Sequence, residues 1–283
     1  MNATLCRLFV SAVLFLTAFA SAIADDASPA ARGLGAVMRH DFQGALKILE
    51  PAAEQGDASA QYMLGHMYAI GWGIPRDDAL ALNWYQRSAE QGNSGAQRET
   101  GIFYRDGRAT MPDSTKAAKW FRSAADQDDE RAEFDLGVMC EAGQGVPQDF
   151  RQASELYRKS AVRGDAQAQT SLGNLYLQGM GVSQDYTEAR GWFLAGADNS
   201  SSNSMKFLGE MSRNGQGAAP DKIEAYRWYL SASTFCHTLR RENCAEIDHD
   251  RDGLKNEMKP EDIAAASSLA GSWKPKLEWP DAD

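Results

Sequence analysis

Four side chains near the C-terminus have the types that coordinate zinc: Cys236, His237, Cys244 and His249. Their spacing matches no common zinc-finger pattern. An oxidising compartment, which the N-terminal residues described below indicate, would instead favour a disulfide between the two cysteines. The separation of eight residues suits a bridge that closes a small loop. We therefore expect a Cys236–Cys244 disulfide and no metal site here.

The nearby sequence Asp248-His-Asp-Arg-Asp-Gly begins like a calcium-binding loop. The twelfth position, where a bidentate glutamate should close the cage, is Lys259. The alternative is a charged helix whose Ile247, Leu254 and Met258 face inward. We expect the helix.

Several motifs of enzymatic catalysis are missing from the sequence. No serine is followed three places later by lysine, and Lys-Thr-Gly, Gly-x-Ser-x-Gly, His-Glu-x-x-His and Walker-type glycines do not occur. The four histidines are scattered along the chain. We expect no catalytic residue and no cofactor.

Five aspartates recur every 36 residues without an insertion or deletion. They are Asp77, Asp113, Asp149, Asp185 and Asp221. Carboxylates at one repeat position could bind a cation, but an N-cap explains all five, since each precedes an apolar helical pattern. A period of this length indicates units that bury their apolar faces by stacking on neighbours.

Each unit reads as two helices, helix A and helix B. Helix A carries apolar residues at helical spacing, such as Ala60, Leu64 and Met67, followed by a loop that contains glycine. Helix B carries an alanine and an aromatic pair, such as Trp192-Phe193, which we expect to be interior. Cys140 replaces a tyrosine of helix A, so we expect a buried thiol. A glycine also recurs inside helix A, at Gly65, Gly101, Gly137, Gly173 and Gly209, and close helix packing is the expected reason.

The N-terminus has the pattern of a secretory signal peptide. Arg7 precedes an apolar run over residues 8–20, and Ala22-Ile-Ala24 forms a small-x-small cleavage site. We predict cleavage after Ala24 and a periplasmic or secreted protein. Without residues 1–24 the chain would carry 28 basic and 39 acidic side chains, which makes nucleic acid a poor partner.

The sequences Ala60-Gln-Tyr-Met-Leu-Gly-His-Met-Tyr68, Gly71-Trp-Gly-Ile-Pro75 and Ala81-Leu-Asn-Trp-Tyr85 together resemble the Sel1-like repeat, a relative of the tetratricopeptide repeat. The resemblance covers residues 41 to 236. It implies an all-α fold, a right-handed α-solenoid of helix-turn-helix repeats. It also implies C-terminal capping helices.

We predict a signal peptide over 1–24, an N-terminal helical cap over 25–56 and five repeats over 57–236. The repeats are 57–92, 93–128, 129–164, 165–200 and 201–236. Capping helices should cover 237–273, and 274–283 should form a flexible tail.

The outward positions of helix A form the candidate partner surface, because they point away from its buried face at 100° per residue. In related superhelices helix A lines the concave side. The alternative is ordinary surface or contact with the adjacent helix. The candidate residues are Tyr62, His66, Arg98, Ile102, Arg105, Phe134, Val138, Asn174 and Leu177.

The resemblance implies a non-enzymatic adaptor or regulator that binds a protein or peptide in the solenoid groove. The alternative is a cell-wall protein that binds or hydrolyses peptidoglycan or β-lactams, as linked to cysteine-rich secreted relatives. This chain lacks the cysteine pair per repeat of those relatives. A fold alone does not choose between the two.

Overall fold

The fold is all-α. A computed structural model describes residues 28–239 and 244–274, and every regular element among them is an α-helix. This confirms the expected fold class, an array of paired helices. The predicted signal peptide and residues 275–283 of the predicted tail lie outside the described residues.

The chain divides into two compact units, one ending at Ala124 and one beginning at Ala125. Unit 1 holds α1 Pro29–Met38, α2 Phe42–Glu54, α3 Ala58–Ile70, α4 Asp78–Glu90, α5 Ser94–Asp106 and α6 Ser114–Ala125, whose last residue falls past the boundary. Unit 2 holds α7 Glu130–Ala142, α8 Phe150–Val162, α9 Ala166–Gln178, α10 Tyr186–Asp198, α11 Ser202–Asn214, α12 Lys222–Thr238, α13 Cys244–Lys255 and α14 Pro260–Ser272. No described helix is long and apolar enough to cross a membrane.

The five periodic aspartates cap the helix-B elements, as predicted. Asp149, for example, accepts a hydrogen bond from the backbone N–H of Gln152 at 2.9 Å. Its own N–H donates to the carbonyl of Cys140 near the end of α7, at 2.9 Å. Equivalent pairs of bonds occur at Asp77, Asp113, Asp185 and Asp221. Each aspartate therefore starts one helix and fastens it to the end of the preceding helix.

The glycines inside helix A receive an aromatic ring from helix B. A methyl group placed on Gly173 would lie 2.7 Å from Cε1 of Phe193, well inside van der Waals contact. The pairs Gly65–Tyr85, Gly101–Phe121, Gly137–Tyr157 and Gly209–Tyr229 show the same approach, at 2.5 to 2.8 Å. Close packing against a ring is therefore the reason for these glycines.

The first residue of each aromatic pair differs from the second. Phe193 is fully buried, whereas Trp192 is only partly buried and lies 5.9 Å from the guanidinium of Arg158. Trp84 and Trp120 are also partly buried, and Trp228 is the buried exception. The prediction that both members are interior is wrong for these three pairs, because the first ring lies at the edge of the helix contact.

The N-terminal helices form a shorter version of the same unit. A methyl group on Gly33 of α1 would lie 2.4 Å from Cδ2 of Leu49 on α2. Leu49 stands 36 residues before Tyr85, whereas Gly33 stands only 32 before Gly65. The link between the paired helices is shorter by four residues, since it spans 39–41 here and 71–77 in the next unit.

The C-terminal helices α13 and α14 pack on α12. A disulfide joins Cys236 of α12 to Cys244 of α13, with Cα atoms 5.6 Å apart, as the spacing predicted. Ile247 and Leu254 of α13 are buried, so the sequence that begins like a calcium loop is a charged helix. Cys140 is a fully buried thiol that donates to Oε1 of Gln152 at 3.2 Å.

The contact between glycine and ring predicts the effect of Gly173→Ala. The added methyl group must displace Phe193, and overpacking of this kind costs about 1 to 3 kcal/mol. We expect the free energy of unfolding, measured by urea denaturation, to fall by that amount.

Gly191→Ala is the matched control. Gly191 also lies inside a helix of unit 2, but a methyl group placed on it would meet nothing within 4 Å. This substitution should raise the free energy of unfolding by about 0.5 to 1 kcal/mol through helix propensity. Equal effects of the two substitutions would contradict the packing role of Gly173.

Candidate partner-binding site

The candidate residues on the helix-A faces do not share one environment. The first outward position of helix A is residue 62, with Thr170 and Lys206 as equivalents in later repeats, and in these repeats it contacts a following helix. A methyl group on Gly95 of α5 would lie 3.0 Å from the hydroxyl of Tyr62. Thr170 of α9 is hydrogen-bonded to Ser204 of α11 at 2.6 Å, and Lys206 is paired with Glu246 of α13. At Tyr62 and Thr170 this position therefore joins neighbouring repeats, and at Lys206 it joins the last repeat to α13.

Other candidate side chains are engaged within their own repeat. Phe134 is half-buried with its ring centroid 5.7 Å from that of Tyr157. Arg105 is exposed, pairs with Asp106 at 2.8 Å and lies over the ring of Phe121. Arg98 and Ile102 of α5 and Asn174 and Leu177 of α9 are half-buried.

Among the candidate residues in unit 2, Val138 is an apolar residue that is exposed to solvent. Its relative exposure is 38%, although it lies in the middle of α7.

An apolar cleft lies in unit 1 between α1 and α3. Its volume is about 520 Å³. Tyr62 and His66 line it, together with residues that are not among the candidates predicted from the sequence. The other lining residues are Ala30, Ala31, Leu34, Val37, Ser59, Met63, Met67, Ile70, Trp72 and Asn93. We call this the α1/α3 cleft.

Large apolar side chains stand open to solvent at the mouth of the α1/α3 cleft. Leu34 is 51% exposed, Ile70 is 52% exposed and Trp72 is 37% exposed. Val37 and Met67 are buried beneath them. Trp72 is held by stacking on Phe42, with 6.1 Å between ring centroids. A cluster of exposed apolar groups over an apolar floor is typical of a binding site.

Among the described residues, no Lys, Arg, Asp or Glu lines the cleft. His66 is the titratable group with the lowest ordinary pKa there, and its burial lowers this pKa below 6.5, so the ring is neutral at neutral pH. The imidazole lies edge-on to Tyr62 and Tyr85, with centroids 4.6 and 5.4 Å away. The cleft therefore favours uncharged, apolar groups over ions.

Leu34 and Val37 are not among the candidate residues predicted from the sequence, because the first link is shorter. With the offset of 32 residues that relates Gly33 to Gly65, Leu34 corresponds to His66 and Val37 to Ala69. These are the outward positions of helix A. Gly33, which precedes Leu34, could have indicated this position. It lies 32 residues before Gly65, so the 36-residue period does not include it.

Ser233, Asp248 and His237 come together in unit 2. Ser233 donates to Oδ1 of Asp248 at 2.6 Å, and Nε2 of His237 lies 2.8 Å from Oδ2 of the same carboxylate. In a catalytic triad the histidine stands between serine and carboxylate. Here the carboxylate is in the middle and Ser233 is 3% exposed, so the group serves the contact between α12 and α13.

Two features recur along the chain: an aspartate that caps helix B, and an aromatic ring of helix B that packs on a glycine of helix A. They define an all-α solenoid built from helix-turn-helix repeats. The chain belongs to the Sel1 repeat family, whose repeat matches six times, at residues 30–57, 58–93, 94–129, 130–165, 166–201 and 202–234. The first copy covers α1 and α2, the pair with the shortened link. Proteins of this family are typically scaffolds for protein–protein interaction.

Two solved structures are similar over most of the chain. A Sel1 repeat protein from Oxalobacter formigenes shows 26% identity and a TM-score of 0.74, over 87% of this chain and 97% of that one. A protective antigen of uropathogenic Escherichia coli with an SLR fold shows 27% identity and a TM-score of 0.72. The match covers 86% of this chain and 53% of the antigen, so this chain spans about half its length. No curated protein matches the chain.

The burial of His66 predicts a pH dependence of stability. In the unfolded chain the imidazole takes up a proton near its ordinary pKa of 6.5, whereas in the folded chain it resists protonation. Its contribution is therefore present above pH 6.5 and lost as the pH falls below that value. Acidification from about pH 7.5 to about pH 5.5 should lower the melting temperature less for His66→Leu than for the wild type.

The control for this measurement is Met63→Leu, because Met63 lines the same cleft and carries no titratable group. It should keep the wild-type dependence on pH. If His66→Leu also kept it, the assignment to His66 would be wrong.

Proposed function

We propose that this protein is a non-enzymatic exported adaptor that binds a protein partner through its helix-A faces. The observation that carries the proposal is the α1/α3 cleft, an opening of about 520 Å³ whose described lining has no Lys, Arg, Asp or Glu. Exposed apolar residues over an apolar floor support a role in binding.

Export is supported by two features of the chain. The N-terminal residues have the order of a signal peptide, although they lie outside the described residues. The disulfide between Cys236 and Cys244 suits an oxidising compartment such as the periplasm or the exterior of the cell. The partner would then be a protein of the cell envelope or beyond.

The candidate residues of unit 2 form a separate proposed contact surface within that unit. Val138 offers an exposed apolar contact there, and Phe134, Asn174 and Leu177 are partly accessible. Arg98, Ile102 and Arg105 belong to the corresponding face of α5 in unit 1.

Affinity capture from the cell envelope tests the proposal. The variant Leu34→Asp, Ile70→Asp places two carboxylates at the mouth of the α1/α3 cleft, where apolar contact would have to desolvate them. We expect the partner recovered by the wild type to be lost. Leu80→Asp is the matched control, since Leu80 is 43% exposed in the same unit but lies on α4, a helix B. Recovery of the same proteins by all three forms would contradict the proposal.

Unit 2 allows a comparison of two valines. Val138 on α7 and Val162 on α8 are 38% and 67% exposed, and they lie on a helix A and a helix B respectively. We expect Val138→Asp to weaken partner recovery by about tenfold, the loss of roughly 1.4 kcal/mol of binding free energy, and Val162→Asp to leave it unchanged. The opposite pattern would assign the interaction to the helix-B face.

A further inference from the structure

We infer that the α1/α3 cleft takes one amphipathic α-helix of a partner protein, laid along α3 with an uncharged apolar stripe facing inward. This inference rests on the proposed function and specifies the chemistry of the partner. It follows from the arrangement of the lining residues, from their lack of charge and from the scarcity of hydrogen-bonding groups among them.

The lining residues form two helical stripes that face one groove. On α3 they are residues 59, 62, 63, 66, 67 and 70, which is the spacing of a single helix face over the whole element. On α1 they are residues 30, 31, 34 and 37. The α3 stripe is about 17 Å long at 1.5 Å per residue. Two such walls receive the apolar stripe of a third helix, as in other helix-in-groove interfaces.

The lining residues disfavour charged side chains on the inserted face of the partner helix. Arg32 is the one Lys, Arg, Asp or Glu in the sequences of α1 and α3, and it does not line the cleft. His66 adds no charge at neutral pH, because burial lowers its pKa. A carboxylate or ammonium on the inserted face would lose its hydration and find no Lys, Arg, Asp or Glu among the described lining residues.

The small number of hydrogen-bonding groups in the lining favours a helical partner segment over an extended one. An extended backbone in the cleft would bury N–H and C=O groups that need partners. Apolar groups dominate the lining, and Oδ1 of Asn93 already accepts a hydrogen bond from the N–H of Ala96 at 2.9 Å, which caps α5. A helix satisfies its backbone internally and needs no such partners. The volume of about 520 Å³ suits the side chains of one segment.

Selection of random 14-residue peptides on the full chain tests the inference without knowledge of the natural partner. Enriched peptides should carry apolar residues at spacings of three and four, no charge at those positions and no internal proline. Their affinity should be at least about tenfold weaker for Leu34→Asp, Ile70→Asp than for the wild type. It should be unchanged for Leu80→Asp, and melting curves of both variants should confirm that they are folded.

Three results would overturn the inference: enriched peptides with an alternating two-residue pattern, charged residues on the inserted face, or no enrichment. Equal binding to the cleft variant would place the peptide elsewhere and would overturn it as well. The selection and the envelope capture can fail separately. Suppose that the envelope capture recovers a partner that requires Leu34 and Ile70, but that the peptide selection fails. The adaptor function would then be supported, and the inference of a helical partner segment would be wrong.

Discussion

The packing of an aromatic ring against a glycine fixes how the two helices of each repeat approach each other. At Gly173 the ring of Phe193 occupies the space that a side chain on α9 would need. The backbones can therefore come close, and the ring is fully removed from water. A glycine inside a helix lowers the stability of that helix. In these repeats the close contact between the two helices offsets this loss. The same pairing recurs in both units, and the outward faces of helix A are set by it.

The periodic aspartates make this pairing reproducible. Because the N–H of Asp149 binds the end of α7 while its carboxylate caps α8, the link between the two helices has little freedom in length. A shorter link is also possible, as the one between α1 and α2 shows, because it contains only residues 39–41. Its last residue, Asp41, still caps α2 by accepting a hydrogen bond from the N–H of Gly44 at 2.8 Å. The α1/α3 cleft arises beside this shorter unit.

Much of the fold could be read from the sequence, because the features that specify it recur. Asp77 and its equivalents indicated the helix starts, and Gly65 and its equivalents pointed to close packing. The spacing of Cys236 and Cys244 led to the disulfide. The N-terminal repeat was harder to recognise because Gly33 and Leu49 keep the contact but change the spacing by four residues.

The candidate site was less accessible to sequence reasoning, for a geometric reason. A helical wheel describes one helix at a time, and it places Tyr62, Thr170 and Lys206 on an outward face. In the structure such residues meet a neighbouring helix, which the wheel does not contain. Conversely, Leu34 becomes part of a cleft only because α3 lies beside α1. Partner binding by the candidate residues stays a prediction.

The disulfide at the end of the array also affects how the protein survives peptide-bond cleavage. Cys236 and Cys244 enclose the connection between α12 and α13 in a covalent ring. A protease that cuts the chain within this ring opens a loop without separating the fragments. The helices α13 and α14 therefore remain attached after a single nick, and the last repeat stays covered.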